Sequence, residues 1–594
     1  MSSRFDSGSL LSRSRAGADM SRGGNDAVPL LPRTSEGNLF PERTDGRPAV
    51  TIARRAKAAP PPPRWLSLEF VAYYAVIIVG LPALFRCAWG FSDESHPSYA
   101  KYSRKLSKGW MLGRKVDNSD SQYASFRNNM VLLAQVAVGY LILSHAVQRR
   151  GPRFRPLFSL AFSLIFLGAI HGSSLLKILA ITGVNFLITS TIGHLRLGVA
   201  LTWIWSVGIL FANQEFKGYR YGSLSPSLAW LDQVQGFNMR WWVTFNFTTL
   251  RMISYSMDYY ALTSETRDKS KAEFHRQTCS ECSSAVHPGE QCSRARVQGP
   301  LRAAEYSLVN YFCYLLYVPL YLAGPIITYN DFIAQLRYPP RGITFKGTAL
   351  YAVRWMAATL LMEWMLHTIY VVAIKDTKAW EGFSPFQMSM VGYFNLKLIW
   401  LKLLIIWRFF RLWGMADRVE TTENMTRCMS DNYSAMEFWR SWHRSFNRWL
   451  IRYMYVPLGG SRYYALNIFP TFTFVAIWHD ISRKLLTWGW SVSLFILPEY
   501  VLRMVFANER WRQKLGPTTY RHITASAAVV NIILMMIANL VGFAVGVDGV
   551  KEMLGQIFNA NGIIFVISTF VALFSAVQLM FELRNEEERR GWQK

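Results

Sequence analysis

Two Trp-His pairs carry the residue types best suited to chemistry. His479 closes an apolar run in Phe474-Val-Ala-Ile-Trp478-His479-Asp480, and His443 stands in Phe438-Trp-Arg-Ser-Trp442-His443-Arg-Ser-Phe-Asn447. Histidine has an unperturbed pKa of about 6.5, so near neutrality it can take the proton from a hydroxyl nucleophile. A single histidine at the end of an apolar run is ordinarily an interfacial hydrogen-bonding residue. A second one, in an earlier segment that can fold back, makes the pair a candidate base and helper. His479 is the candidate base. His443 or Asn447, one helical turn further on, can orient it or stabilise charge, with Trp442, Trp478 and Asp480 in support.

Cations surround this pair. If the segment is one helix, Arg440, Arg444, Arg448 and Arg452 recur at four-residue steps and form a stripe beside Trp442 and Trp449, until Pro457 ends it and Gly459-Gly460 turns the chain. The plain reading is a helix lying on anionic lipid. The functional one, with Lys397 and Lys402 added, is a site for phosphate. Glu363 and His367, four apart, can share a proton or simply hold helices together. A polar loop over residues 262–303 contains His275, Cys279, Cys282, His287 and Cys292. Cys279-x-x-Cys282 is half a zinc knuckle, which Cys292 and a histidine, His287 or His275, could complete; an incidental loop is the commoner outcome, and redox chemistry is a third.

The elements that must position these residues are membrane helices. The 594 residues are 51% apolar and 17% charged, whereas soluble domains carry roughly 25% charge. The net charge of +27 sits in short clusters between apolar runs, as lysines and arginines do beside membrane spans. This placement excludes a nucleic-acid footprint, and six cysteines exclude a disulfide scaffold. About 20 apolar residues cross a bilayer. By that measure twelve runs qualify, from Leu66 to Phe85 through to Ile563 to Phe581, with Leu308 to Ile327 and Ile468 to Ile481 among them. The expectation is an all-α polytopic protein of ten to twelve spans, with Met239 to Tyr260 and Phe438 to Leu458 as re-entrant or interfacial helices. Residues 1–64, basic and closing on Pro60 to Pro63, read as a disordered tail ahead of a membrane domain over 65–594. Positive charge around the first span is nearly balanced, and the expected placing of the tail is cytosolic. No internal repeat supports an inverted-repeat transporter.

Four blocks in order carry a family resemblance. They are Asn246-Phe-Thr-Thr-Leu-Arg-Met-Ile-Ser254-Tyr255-Ser-Met-Asp258, Pro319-Leu-Tyr-Leu-Ala-Gly324-Pro325 through Asn330-Asp331, Trp439 through Gly460, and Ile477-Trp478-His479. Over about residues 241–490 the chain resembles the membrane-bound O-acyltransferases, in the fungal glycerol-uptake branch related to Hedgehog acyltransferases. The resemblance implies a helical core with a tunnel through the bilayer and a catalytic histidine at His479; the position of His443 is Asn, Asp or His across the wider family. It further implies acyl transfer from acyl-CoA to a lyso-glycosylphosphatidylinositol (lyso-GPI) hydroxyl in the endoplasmic reticulum membrane, with the plasma membrane as a second location. Membrane lipids, acyl-CoA and the anchor lipid would be the partners, and no oligomeric state is implied. By its spacing from His443, Cys428 matches a haem-binding cysteine of the Hedgehog acyltransferases. No G-x-S-x-G elbow occurs, so a serine acyl-enzyme has no support. The alternatives are a proton-coupled polyol transporter, suggested by Glu363, His367 and Lys402, and an acyltransferase with a protein acceptor.

Overall fold

The computed structural model describes residues 61–592 except 239, 264–268, 300, 507–508 and 557–559. The expected tail lies outside the described residues apart from 61–64. Among the described residues the chain is helical, with two isolated antiparallel bridges and no strand. Nine helices among the described residues are long and apolar enough to cross a membrane. They become ten if Phe345–Thr368 and Val371–Thr377, bent by 50° at a short break, count as one span. Large apolar side chains point outward along them, such as Ile78 and Val79 near one end of the chain and Ile563, Ile564 and Ile567 near the other. In water such a surface would aggregate; in hydrocarbon it is the solvated face.

Two of the twelve expected runs are not spans. Leu308 to Ile327 breaks at Tyr317 into Leu308–Leu316 and Val318–Tyr321, and Asn310 through Tyr321 are almost all buried in protein. Its apolarity serves the core, which is how a run with Pro319, Gly324 and Pro325 survives at membrane depth. The run from Ile468 falls in the helix Tyr464–His479, which has 16 residues and a proline at Pro470. At about 1.5 Å per residue it is shorter than the ~30 Å hydrocarbon layer.

The helix Pro385–Ala416 lies at the centre, packed against Leu68–Phe91, Phe345–Thr368, Pro517–Phe543 and Ala560–Arg589. Ser384 starts it with a capping box, accepting from the Gln387 N–H at 3.3 Å while the Gln387 side chain accepts from the Ser384 N–H at 2.9 Å. The ionisable groups singled out above within the spans, Glu363, His367 and Lys402, are paired. Glu363 takes a two-pronged bond from Arg127 at 2.6 and 2.7 Å and another from Trp110 Nε1 at 3.1 Å. His367 turns Nδ1 to the Glu363 carbonyl and accepts the Trp110 N–H on Nε2, so the two side chains share no proton. Lys402 pairs with Asp120 at 2.5 Å. These partners make the groups helix-to-helix ties, which removes the main argument for a proton-coupled transporter.

Candidate active site

The segment carrying His443 is not one helix. Ala435–Ser441 ends, Trp442 is extended, and His443 takes a left-handed conformation with φ +44° before Arg444–Leu450 begins and runs into a π turn over Ile451–Tyr455. A non-glycine residue held there costs on the order of 1–3 kcal/mol, which neighbouring structure must offset. Asn424 supplies the hold: its carbonyl accepts the Arg444 N–H and its Oδ1 accepts the Ser445 N–H, both at 3.1 Å. The break points the imidazole inward. His443 is 6% exposed, stacks on Trp407 with ring centres 4.4 Å apart, and leaves Nε2 buried without a hydrogen-bond partner.

The same break dismantles the expected arginine stripe. Arg440 pairs with Glu437 at 2.5 Å, Arg448 donates to Thr422 Oγ1 at 2.9 Å, and Arg452 pairs with Asp258 at 2.8 Å. Arg444 ties its backbone to Asn424. Lys397 donates to Cys428 Sγ at 3.4 Å. Of the six cations, Arg440 and Lys402 reach the large cavity described next. Steps of four residues make a stripe only on an unbroken helix, so these six cations form no continuous phosphate rail.

His479 ends its helix because Asp480 is extended, and the residue is exposed. It stands where two cavities meet. One, of about 1590 Å³, is mainly apolar and is lined by His443, Asn447, Trp442, Trp478 and His479. The other, of about 460 Å³, is polar, with Asn213, Gln214, Lys217, Arg240 and Asp480. Val243, Asn246 and His479 line both. Trp478 lies between the histidines, its ring 6.1 Å from that of His443 and 4.8 Å from that of His479. Nothing in the spacing of the sequence marks Lys217 or Arg240 as site residues, and Asn246 is signalled only by its place in a motif block.

The motif blocks converge beneath this junction. Asp258 accepts from Arg452, from the Tyr453 hydroxyl at 2.9 Å and from the Asn330 N–H at 3.2 Å. Ser254 bridges the Tyr453 hydroxyl at 2.9 Å and the Tyr329 N–H at 3.1 Å, and Ser445 Oγ accepts the Ile326 N–H at 2.9 Å. Three of the four blocks therefore share one frame, and the fourth joins it through Trp478, whose carbonyl accepts from the Asn246 side chain.

Residues 227–547 match the membrane-bound O-acyltransferase family, MBOAT. The chain is 43% identical over 570 residues to Membrane-bound O-acyltransferase GUP1 of Saccharomyces cerevisiae, covering 95% of this chain and 98% of that one. The chain belongs to the membrane-bound O-acyltransferase family. To gup1 of Schizosaccharomyces pombe this acyltransferase is 40% identical, over 88% of its own length and 90% of the relative's. Mouse Protein-cysteine N-palmitoyltransferase HHAT is more distant, 25% identical over 43% of this chain and 54% of that one. A multi-pass, membrane-bound acyltransferase is thus established, with His443 and His479 facing its principal cavity.

The cysteines divide. Cys428 is absent from the cavity lining, and its sulfur faces the Lys397 ammonium. Neither cavity opens onto that sulfur, so the structure lends a haem at Cys428 no support. In the polar loop, Cys279, Cys282 and Cys292 gather around His275, while His287 stacks on Tyr338 with ring centres 4.2 Å apart. Of the two candidate histidines it is His275, carried back by the short helix Lys269–Thr278, that lies with the cysteines, and His287 does not.

Proposed function

We propose that this acyltransferase moves a long fatty acyl chain from acyl-CoA to the free hydroxyl of a lyso-GPI lipid in the endoplasmic reticulum membrane. The observation that carries the reading is the position of His479 at the meeting of an apolar cavity and a polar one. Such a junction suits a substrate pair whose chains belong in hydrocarbon and whose reacting oxygen and thioester are polar. The acyl chain occupies the large cavity, and Lys217 and Arg240 of the polar pocket face the coenzyme's phosphates.

His479 takes the proton from the acceptor hydroxyl as its oxygen bonds to the thioester carbon. The carbonyl oxygen becomes an oxyanion, and the buried, unpartnered Nε2 of His443, carrying a proton, donates to it. Collapse breaks the carbon–sulfur bond, and the thiol leaves with the proton held by His479. Trp407, Trp442 and Trp478 wall the site with apolar surface that excludes competing water.

The test is reconstitution of the purified protein with labelled acyl-CoA and lyso-GPI lipid. The expected result is label in the lipid product. Label delivered to a protein or peptide acceptor instead would transfer the reading to a protein acylation; no transfer, with polyol flux across proteoliposomes, would overturn it.

A further inference from the structure

The polar loop has too little apolar surface to fold through a core of its own. Between Lys269 and Gln298 its described residues form three short α-helices, Lys269–Thr278, Ser280–Ser283 and Ser293–Gln298, and a 3-10 turn, Pro288–Glu290, with few buried side chains. Segments of this size and polarity hold their shape by a staple. At the centre of these helices the ligand atoms of His275, Cys279, Cys282 and Cys292 all lie within 4.8 Å of one another. His275 Nε2 is 3.1 Å from Cys292 Sγ and 3.6 Å from Cys282 Sγ. A tetrahedral zinc site with bonds of ~2.0–2.3 Å places its ligand atoms roughly 3.3–3.8 Å apart, so modest contraction completes it.

We propose that His275, Cys279, Cys282 and Cys292 bind one structural zinc ion that fixes this loop against the membrane domain. The donor set selects the ion: three sulfurs and one imidazole in a four-sided cluster suit zinc and disfavour magnesium or calcium, which take oxygen. With four protein donors no position remains for substrate, so the ion's role is structural. A disulfide explains the geometry less well, since it would use two of the cysteines and leave the third and the histidine gathered for no purpose.

The loop so fixed reaches toward the active site. Cys292 caps Ser293–Gln298, and that helix carries Arg296, buried and paired with Asp331 at 2.7 Å and Glu420 at 2.6 Å. Gly289 presses on the helix Tyr329–Arg337 so closely that a Cβ there would lie 1.6 Å from the Tyr338 carbonyl oxygen. That helix presents the Asn330 N–H to Asp258, the partner of Arg452. The zinc cluster thus braces the helix beneath the catalytic frame.

The test uses the full-length protein, purified in detergent without chelator, and mass-spectrometric metal analysis. One zinc per chain is expected, released by a thiol-specific mercurial and exchangeable for cobalt with the absorption of a tetrahedral thiolate site. Cys279→Ser and His275→Ala should each lose the metal, whereas His287→Ala should keep it. Because the first two variants can misfold, the mercurial release and cobalt spectrum are measured on wild-type protein and decide independently. Metal-free, folded wild-type protein whose three thiols alkylate at the same rate with and without added zinc would overturn the proposal. So would a mapped disulfide between any two of the three, or stoichiometric iron in place of zinc.

Discussion

Asn246 and Trp478 bind each other reciprocally: the Asn246 side-chain amide donates to the Trp478 carbonyl at 2.7 Å, and the Trp478 indole N–H donates back to the Asn246 carbonyl at 2.8 Å. One residue is in the helix Trp241–Thr263 and the other in Tyr464–His479, immediately before His479. The pair sets where that helix ends and so where the imidazole stands.

Removing the side-chain half of this clamp should cost activity more than stability. A hydrogen bond of this kind contributes about 0.5–1.5 kcal/mol net, a small part of a domain's stability. A small displacement of a catalytic group, in contrast, can reduce turnover by ~10²-fold. Asn246→Ala is expected to melt within a few degrees of wild type while kcat falls at least tenfold. Unchanged kcat in the reconstituted assay would show that the clamp does not position His479.

The two histidines should fail differently. His479→Ala is expected to lower kcat by ~10²–10⁴-fold, the usual contribution of a positioned base. At His443 the backbone has φ +44°, a conformation that Asn tolerates better than Ala. His443→Asn keeps a donor near the oxyanion and should retain more activity than His443→Ala, which loses the donor and strains the turn. Kinetics of the three variants with matched melting curves check this. Equal activity of the Asn and Ala variants at position 443 would remove the donor role.

These positions mark how far the sequence was readable. His479 was visible because a titratable group closing an apolar run is costly; His443 was visible as a second Trp-His pair, in a Trp- and Arg-rich segment able to fold back. The all-α membrane architecture was visible through long uncharged runs. Leu308 to Ile327 misled because hydropathy reports apolarity without saying whether lipid or protein is the neighbour. The arginine stripe misled because nothing local announces the left-handed turn at His443; it is imposed by Asn424, which comes earlier in the chain. Lys217 and Arg240 were hidden because their approach to His479 depends on tertiary packing alone.

Arg452 separates a structural cation from a phosphate-binding one. Its partner Asp258 is fully buried and also holds Tyr453 and the Asn330 backbone. Removing one member of a buried ion pair strands the other and costs about 3–5 kcal/mol. Arg452→Met should therefore lower the melting temperature sharply, and adding Asp258→Asn should recover part of the loss. Thermal unfolding of the single and double variants in detergent measures it. Wild-type stability with a raised KM for acyl-CoA would instead return Arg452 to the phosphate site.

Asp232 gives a pH signature outside the membrane. The backbone N–H groups of Gly222 and Tyr221 both donate to its carboxylate at 2.9 Å and hold its pKa below the ordinary value; Lys177 and Arg220 add to the effect. A depressed folded pKa means that the unfolded state binds a proton first as pH falls. The stabilisation is therefore complete above the unfolded value of about 3.9 and disappears as pH drops through the lower folded value. Asp232→Asn should melt below wild type at pH 7, and the gap should shrink progressively below about pH 4. A gap that stays constant down to the acid limit would mean that the asparagine disturbs the turn sterically and that the carboxylate charge contributes nothing.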